Sequence, residues 1–498
     1  MNRKIIRYIL GTVCRAEGLL LLLPCVAALY FGETEGFYYL ITSGIALLLS
    51  LILARKKPDN AVFFLKEGCI ATALSWIMLS VLGCLPFVMT GEIPYFHDAL
   101  FETISGFTTT GSSILSDVEA LSRTSLLWRS FTHWIGGMGV LVFVLAVVPL
   151  SGGSNMNLMR AESPGPSVGK LVPKLTDTAK ILYVIYFVMT IVEIILLAAG
   201  GMPFFDNLCL SFGTAGTGGF AVLNTGLLTY TPYQQWIITI FMILFGVNFN
   251  FFYFLLIRRF KKAFMMSEVR TYFIVIVISS IIIALNTYNT ATGVSDTIRN
   301  SFLTVGSIIT TTGYASVDFN LWPTLSKVIL VFLMFCGACA GSTGGGIKVS
   351  RLRILFKSVV REVDKYYHPR SVKKIKEDGE TLDEETVRSV GVYMCTFIAL
   401  FAISLFIVSF EGRSFETSFT SVAACINNIG PGLGDVGPTG NFGDFSLASK
   451  IILMIDMLAG RLELYPLILL LNPSIYTDAA GEVRANIRKK RRLRKGDL

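Results

Sequence analysis

Apolar residues along this chain gather into long runs separated by short polar breaks. A hydrocarbon core of ~30 Å needs about 20 apolar residues in a helix. By that measure the runs 18–31, 37–54, 69–90, 129–150, 181–202, 235–257, 272–288, 328–341, 391–410 and 451–471 are candidate spans. The first is short and contains Pro24, and the eighth runs into a glycine cluster. Four shorter, moderately apolar segments, 95–107, 203–214, 296–309 and 414–426, lie between spans and cannot cross. Each leads into a glycine-containing turn: Thr108-Thr109-Thr110-Gly111, Ala215-Gly216-Thr217-Gly218, Thr310-Thr311-Thr312-Gly313 and Asn427-Asn428-Ile429-Gly430. The pattern predicts an all-α integral membrane protein: two N-terminal spans, then four tandem copies of span, re-entrant half-helix, turn and span around a central pore. The corresponding divisions are 1–66, 67–160, 161–265, 266–388 and 389–475, with a basic tail at 476–498.

Composition agrees with the membrane class. The 498 residues are 53% hydrophobic and 15% charged, with mean hydropathy +0.63, whereas soluble chains carry about 25% charged residues. The nine cysteines lie mostly in apolar runs without ligand spacing and read as small core residues. The basic, amphipathic start, MNRKIIRYILGTVCRAEG, reads as an interfacial helix leading into the first span. The net charge of +9 matters less than its placement. Basic clusters such as Arg55-Lys56-Lys57, Arg258-Arg259, Lys261-Lys262 and those of 348–376 alternate with acidic connections holding Glu33, Glu92, Asp117, Asp206, Asp318 and Asp435. The positive-inside rule then puts both termini in the cytoplasm and every glycine turn on the outer side. The basic tail, 484–498, suits anionic lipid headgroups, and nucleic acid is not an expected partner.

The turns carry the chemistry. A cation crossing a membrane needs oxygens to replace its hydration shell, and a ring of backbone carbonyls supplies them. Glycine admits positive φ, so successive carbonyls can point the same way. Each half-helix would aim its negative C-terminal end at the same axis. A second constellation, Gly341-Ser342-Thr343-Gly344-Gly345-Gly346, interrupts the eighth run, and glycine at this density costs a helix about 1 kcal/mol per residue. The chain is therefore expected to unwind there. A nucleotide-binding P-loop fails, because Ile347 stands where its lysine belongs. Of the charged residues in the last span, Asp456, Arg461 and Glu463, intramembrane charge is expected to pair or face a cavity. An enzyme is not expected: the three histidines are not placed to activate Ser342, the only tempting nucleophile.

These stretches resemble the Trk/Ktr/HKT superfamily of cation transporters, most closely the membrane subunit of bacterial Trk potassium uptake systems. The resemblance rests on DALFETISGFTTTGSSIL (98–115), HWIGGMGVLVFVLAVVPL (133–150), FGTAGTGGFA (212–221), SIITTTGYAS (307–316), CAGSTGGGIKVSR (339–351), SVAACINNIGPGLG (421–434) and AGRLELYPL (459–467). It implies a selectivity filter marked by Gly111, Gly218, Gly313 and Gly430, with potassium held by carbonyls of Thr110, Thr217, Thr312 and Ile429. Thr109, Gly216, Thr311 and Asn428 would flank them. Sodium-preferring plant relatives carry serine at the first filter glycine, so Gly111 favours potassium. The resemblance also implies that residues 341–346 form a gate loop beneath the filter and that Arg461 stands in the ion path. It further implies a homodimer in a bacterial cytoplasmic membrane, no cofactor beyond the transported ion, and a TrkA-like nucleotide-binding regulator, for which 348–388 is the candidate docking surface. The alternative functions are proton- or sodium-coupled transport and a sodium-permeable member of the same superfamily.

Overall fold

A computed structural model describes residues 2–56, 64–139, 175–288, 293–370 and 373–472, and these are mostly helical. At the N-terminus, α1 (Arg3–Leu20) passes through Leu21 into α2 (Leu22–Phe31), and α3 (Gly36–Leu53) returns beside them. Then come α4 (Leu65–Thr90), α5 (Phe96–Phe107) and α6 (Arg123–Gly137), followed by α7 (Leu175–Ala199), α8 (Phe204–Gly216), α9 (Pro232–Phe245), α10 (Phe249–Leu256) and the short α11 (Phe260–Phe264). A third group holds α12 (Ser267–Thr287), α13 (Val294–Ile309), α14 (Thr324–Cys336) and α15 (Val349–Tyr367). The last is α16 (Glu384–Val408), α17 (Phe415–Ile426), α18 (Leu447–Arg461) and α19 (Tyr465–Leu471).

Two sequence expectations are corrected here. The basic N-terminus is not an interfacial helix: Ile5, Ile6, Ile9 and Val13 are buried, and α1 packs on α3 and α4. The helix breaks at Leu21, and Pro24 then stands in the first turn of α2, where its missing N–H breaks no bond within that helix. Of the ten candidate runs, six helices among the described residues are long and apolar enough to cross, or seven if α9 and α10, bent by 92°, count as one span. The difference arises because the helix following each half-helix is interrupted. Gly139 after α6 has φ +81°, Gly337 after α14 has φ +68°, and Glu463 and Leu464 after α18 have φ +60° and +66°. The remainder of the fourth run, 140–150, and the basic tail lie outside the described residues.

The four short helices α5, α8, α13 and α17 hold 12, 13, 16 and 12 residues. At 1.5 Å per residue they extend ~18–24 Å, short of a bilayer core. Each has a carboxylate in its first turn, where the positive end of the helix dipole favours it, and each carboxylate has a partner. Asp98 meets Lys450 at 2.6 Å, Asp206 accepts from Tyr230 at 3.1 Å, Asp296 meets Arg299 at 2.7 Å and Glu416 meets Lys327 at 3.3 Å. Each short helix packs between its own flanking helices and also touches one helix of the preceding group. These extra contacts are α8 on α6, α13 on α9, α17 on α14 and α5 on α18. The last of them joins the end of the chain to its beginning.

At the basic end, β1 (Lys376–Glu377) and β2 (Glu380–Thr381) form the hairpin that the pair Asp378-Gly379, favoured in tight turns, predicts from sequence. Asp378 and Gly379 both have positive φ, +50° and +87°, as a two-residue type I′ turn requires. Glu377 ties the hairpin to α15 through Arg353 at 2.8 Å and Lys357 at 2.5 Å.

Candidate functional site

The four half-helices end in one backbone motif. The N–H groups of Thr109, Thr217, Thr311 and Asn428 donate to carbonyls three residues back, at 3.1, 3.0, 3.1 and 3.2 Å. Those of Thr110, Gly218, Thr312 and Ile429 donate five back, to Ser105, Gly213, Ser307 and Ala424, at 2.9, 2.8, 2.8 and 2.9 Å. This is a Schellman-type helix end. The left-handed position is taken by Thr109, Thr217, Thr311 and Asn428, with φ of +55°, +54°, +60° and +55°. Three of these are β-branched, a choice that costs on the order of 1–3 kcal/mol each and is held in place by complete burial. Two residues on stand Gly111, Gly219, Gly313 and Gly430, with φ of +81°, +79°, +87° and +97°.

This geometry corrects the register of the second turn. Gly219, not Gly218, is the counterpart of Gly111. Gly218, not Thr217, is the counterpart of Thr110, while Thr217 matches Thr109. Two consecutive glycines at 218–219 made the spacing ambiguous by one residue.

The corners meet head to tail. A Cβ on Gly111 would lie 2.0 Å from the Gly218 carbonyl oxygen, and one on Gly219 would lie 1.9 Å from that of Thr312. On Gly313 it would lie 2.2 Å from the Ile429 oxygen, and on Gly430 it would lie 2.9 Å from that of Thr110. Each glycine thus admits the preceding residue's carbonyl from the next corner, and the fourth returns to the first. Further bonds brace the circuit. Thr108 and Thr110 share a hydroxyl bond of 2.8 Å, as do Thr310 and Thr312 at 2.7 Å. The Asn428 amide donates to the Thr110 hydroxyl and to the Met457 carbonyl, both at 2.9 Å.

A buried frame stands behind the first two corners, and the sequence did not mark it. Arg129 meets Glu102 at 2.5 Å, donates to the Ala221 carbonyl at 3.1 Å and lies over the Phe220 ring at 3.6 Å. Glu102 also accepts from the Ser113 hydroxyl and the Ile114 N–H. His133 Nδ1 donates to the Gly106 carbonyl at 2.8 Å, and its Nε2 accepts from Phe220 N–H at 3.3 Å. Arg129→Met leaves Glu102 charged and buried. It is expected to cost about 3–5 kcal/mol, read as a lower unfolding temperature in detergent. Adding Glu102→Gln should recover much of the loss, and an unshifted unfolding temperature would remove the bracing role.

The glycine cluster is unwound, as expected: no helix covers 337–348. It lies against the corners. Gly345 N–H donates to the Thr311 hydroxyl at 2.6 Å, and a Cβ on Gly345 would sit 2.4 Å from the Asn427 oxygen. The segment reaches the helix interruption of the second group too. Cys339 N–H donates to Gly246, and Phe249 N–H donates to Gly341, at 3.1 and 3.0 Å. Two cations hold it. Arg461 donates to the Thr343 carbonyl at 2.8 Å, to Gly137 at 2.7 Å and to Gly136. Lys348 donates to the Gly344 carbonyl and is itself buried. Of the carboxylates near Arg461 in sequence, Glu463 pairs with Arg351, and Asp456 accepts from Ser404 at 2.7 Å. Lys348 was missed as a site residue, although a lysine directly after Gly-Gly-Gly-Ile in an apolar run was the available signal. Among the described residues, no group of three or more His, Cys, Asp or Glu is placed to hold a metal.

Residues 40–475 match the family model TrkH, described as a cation transport protein. This chain belongs to the TrkH family. Its relatives include the Trk system potassium uptake protein TrkH of Salmonella typhimurium, 33% identical over 92% of this chain and 96% of that protein. The Trk system potassium uptake protein TrkG of Escherichia coli is 32% identical over 94% and 97%. A solved TrkH-family structure, the potassium transporter TrkH from Vibrio parahaemolyticus, superposes with a TM-score of 0.84 at 28% identity, covering 95% of this chain and 99% of that one. Within the TrkH family the likeness therefore extends over nearly the whole fold.

Proposed function

We propose that this chain takes up potassium through a pore whose filter is the circuit of four corners. The observation that carries the reading is the head-to-tail contact of Gly111, Gly219, Gly313 and Gly430 with carbonyls of the neighbouring corners. The filter oxygens are then the backbone carbonyls around Thr110–Gly111, Gly218–Gly219, Thr312–Gly313 and Ile429–Gly430. Half-helix C-terminal ends converging on these corners favour a cation, and carbonyls in a ring stand in for its water shell. The Thr109 hydroxyl and the Asn427 and Asn428 amide oxygens are buried without a protein partner, which suits a lower set of ion contacts. Potassium as the cargo is supported by the relatives' names and by glycine at position 111.

In this reading residues 341–346 are the gate. Gly344 and Gly345 close the underside of the third and fourth corners, and Arg461 and Lys348 hold the loop there by its carbonyls. The two termini and the 348–388 segment face the cytoplasm, a second copy completes a homodimer, and a TrkA-like nucleotide-binding subunit docks on the hairpin side. Rubidium uptake by proteoliposomes is the direct test. Uptake that runs only down the ion's own gradient supports a pore. Accumulation driven by an imposed proton or sodium gradient would establish coupling, and absence of rubidium flux would overturn the proposal.

A further inference from the structure

The geometry points to a binding site for the headgroup of an anionic phospholipid beside the loop of 341–346, through which the cytoplasmic leaflet adjusts the gate. A cavity of about 1080 Å³ is lined by Arg258, Arg259, Lys261, Lys262 and Arg270. Among the described residues, none of these five has an ion-pair partner. The acidic wall opposite is largely occupied. Glu377 is neutralised by Arg353 and Lys357, Asp378 accepts from Ser267 N–H at 2.7 Å, and Glu268 accepts from Ala340 N–H at 2.7 Å and Ser350 N–H at 3.1 Å. Glu268, Asp378 and Glu380 remain without an ion pair among the described residues, three carboxylates against five cations.

A lipid is favoured over a soluble anion because the same short segment alternates cations with apolar side chains exposed at the surface. Leu256, Phe260, Phe264 and Met265 are all more than half exposed. Such interleaving seats phosphates on Lys and Arg while apolar neighbours lie among acyl chains. The inner wall of the cavity includes Ala340 and Gly341. Helix α10 links the two ends: its first N–H, of Phe249, donates to the Gly341 carbonyl, and its last turn leads into Arg258-Arg259. Two turns of helix, about 12 Å long, therefore connect a headgroup at the rim to the loop.

The gating half of this inference rests on the proposed pore, and the lipid half does not. The test uses the full chain and the quadruple variant Arg258→Gln, Arg259→Gln, Lys261→Gln, Lys262→Gln. Native mass spectrometry should show the unaltered protein retaining dioleoylphosphatidylglycerol over dioleoylphosphatidylcholine by about tenfold or more, and the variant losing that preference. Rubidium uptake by the unaltered protein should change several-fold when about 30 mol % phosphatidylglycerol is added to phosphatidylcholine vesicles, while the variant responds to neither composition. Equal phosphatidylglycerol retention by the two proteins would overturn the site, as would displacement of the lipid by inorganic phosphate. So would a variant that keeps the lipid but no longer binds a cytoplasmic regulatory protein, which would extend that protein's docking surface from the hairpin across this cavity. Retention without any effect on flux would overturn the coupling. Absence of flux under every condition would sink the pore reading while leaving lipid retention to be judged by itself.

Discussion

Gly111→Ser is expected to lower discrimination between potassium and sodium by about tenfold or more, a differential of roughly 1.4 kcal/mol. Gly111 has φ +81°, and its Cβ would lie 2.0 Å from the Gly218 carbonyl oxygen. That oxygen must retreat, and in the proposed filter its displacement would relax the spacing that distinguishes the larger ion from the smaller. Reversal potentials in mixed potassium and sodium solutions, or the ratio of rubidium to sodium flux, measure it. Gly219→Ser should produce a similar loss, since its Cβ would lie 1.9 Å from the Thr312 oxygen. An unchanged ratio in either variant would detach that corner from selectivity.

The second large effect concerns the loop. Deleting residues 342–345 is expected to raise basal flux, and Arg461→Gln should do so without shortening the chain. Arg461 donates to carbonyls of Thr343, Gly136 and Gly137, and hydrogen bonds from a charged donor contribute about 1.5–3 kcal/mol each. Losing one such bond shifts a closed-to-open equilibrium by about tenfold or more. Rubidium efflux or bilayer current from correctly assembled protein would decide it. Unchanged or lower flux would argue against a gate held by Arg461.

What the sequence revealed was what local physics controls. Runs of apolar residues announced a membrane protein, and Asp378-Gly379 announced a hairpin, because each depends on a few consecutive residues. The half-helices were readable from their length and their glycine turns. The interruptions after them are plain only at Gly341–Gly346. At 463–464 the break falls on Glu-Leu, and its one mark is Pro466 in the first turn of α19. At 246–248 one glycine gives little warning of a 92° bend. The stripe of Ile5, Ile9 and Val13 told that one face of α1 was apolar but not what would cover it. Glu102 and Arg129 lie 27 residues apart, and only the packing of α5 against α6 brings them together. The slip at Gly218 has the same origin: the register is fixed by two backbone hydrogen bonds, which composition does not encode.

A collar made by one chain need not be equally stiff all round. Thr110 and Thr312, on alternate corners of the circuit, anchor their hydroxyls to Thr108 and Thr310, whereas Gly218 has no side chain to anchor and Ile429 has no polar one. Hydroxyl pairs thus brace one diagonal, while the other two corners are held through Asn428 and through Phe220 N–H on His133. Two kinds of bracing at right angles give the two diagonals different stiffness, and a heavy monovalent ion refined at the centre of the proposed filter is expected to smear along one of them.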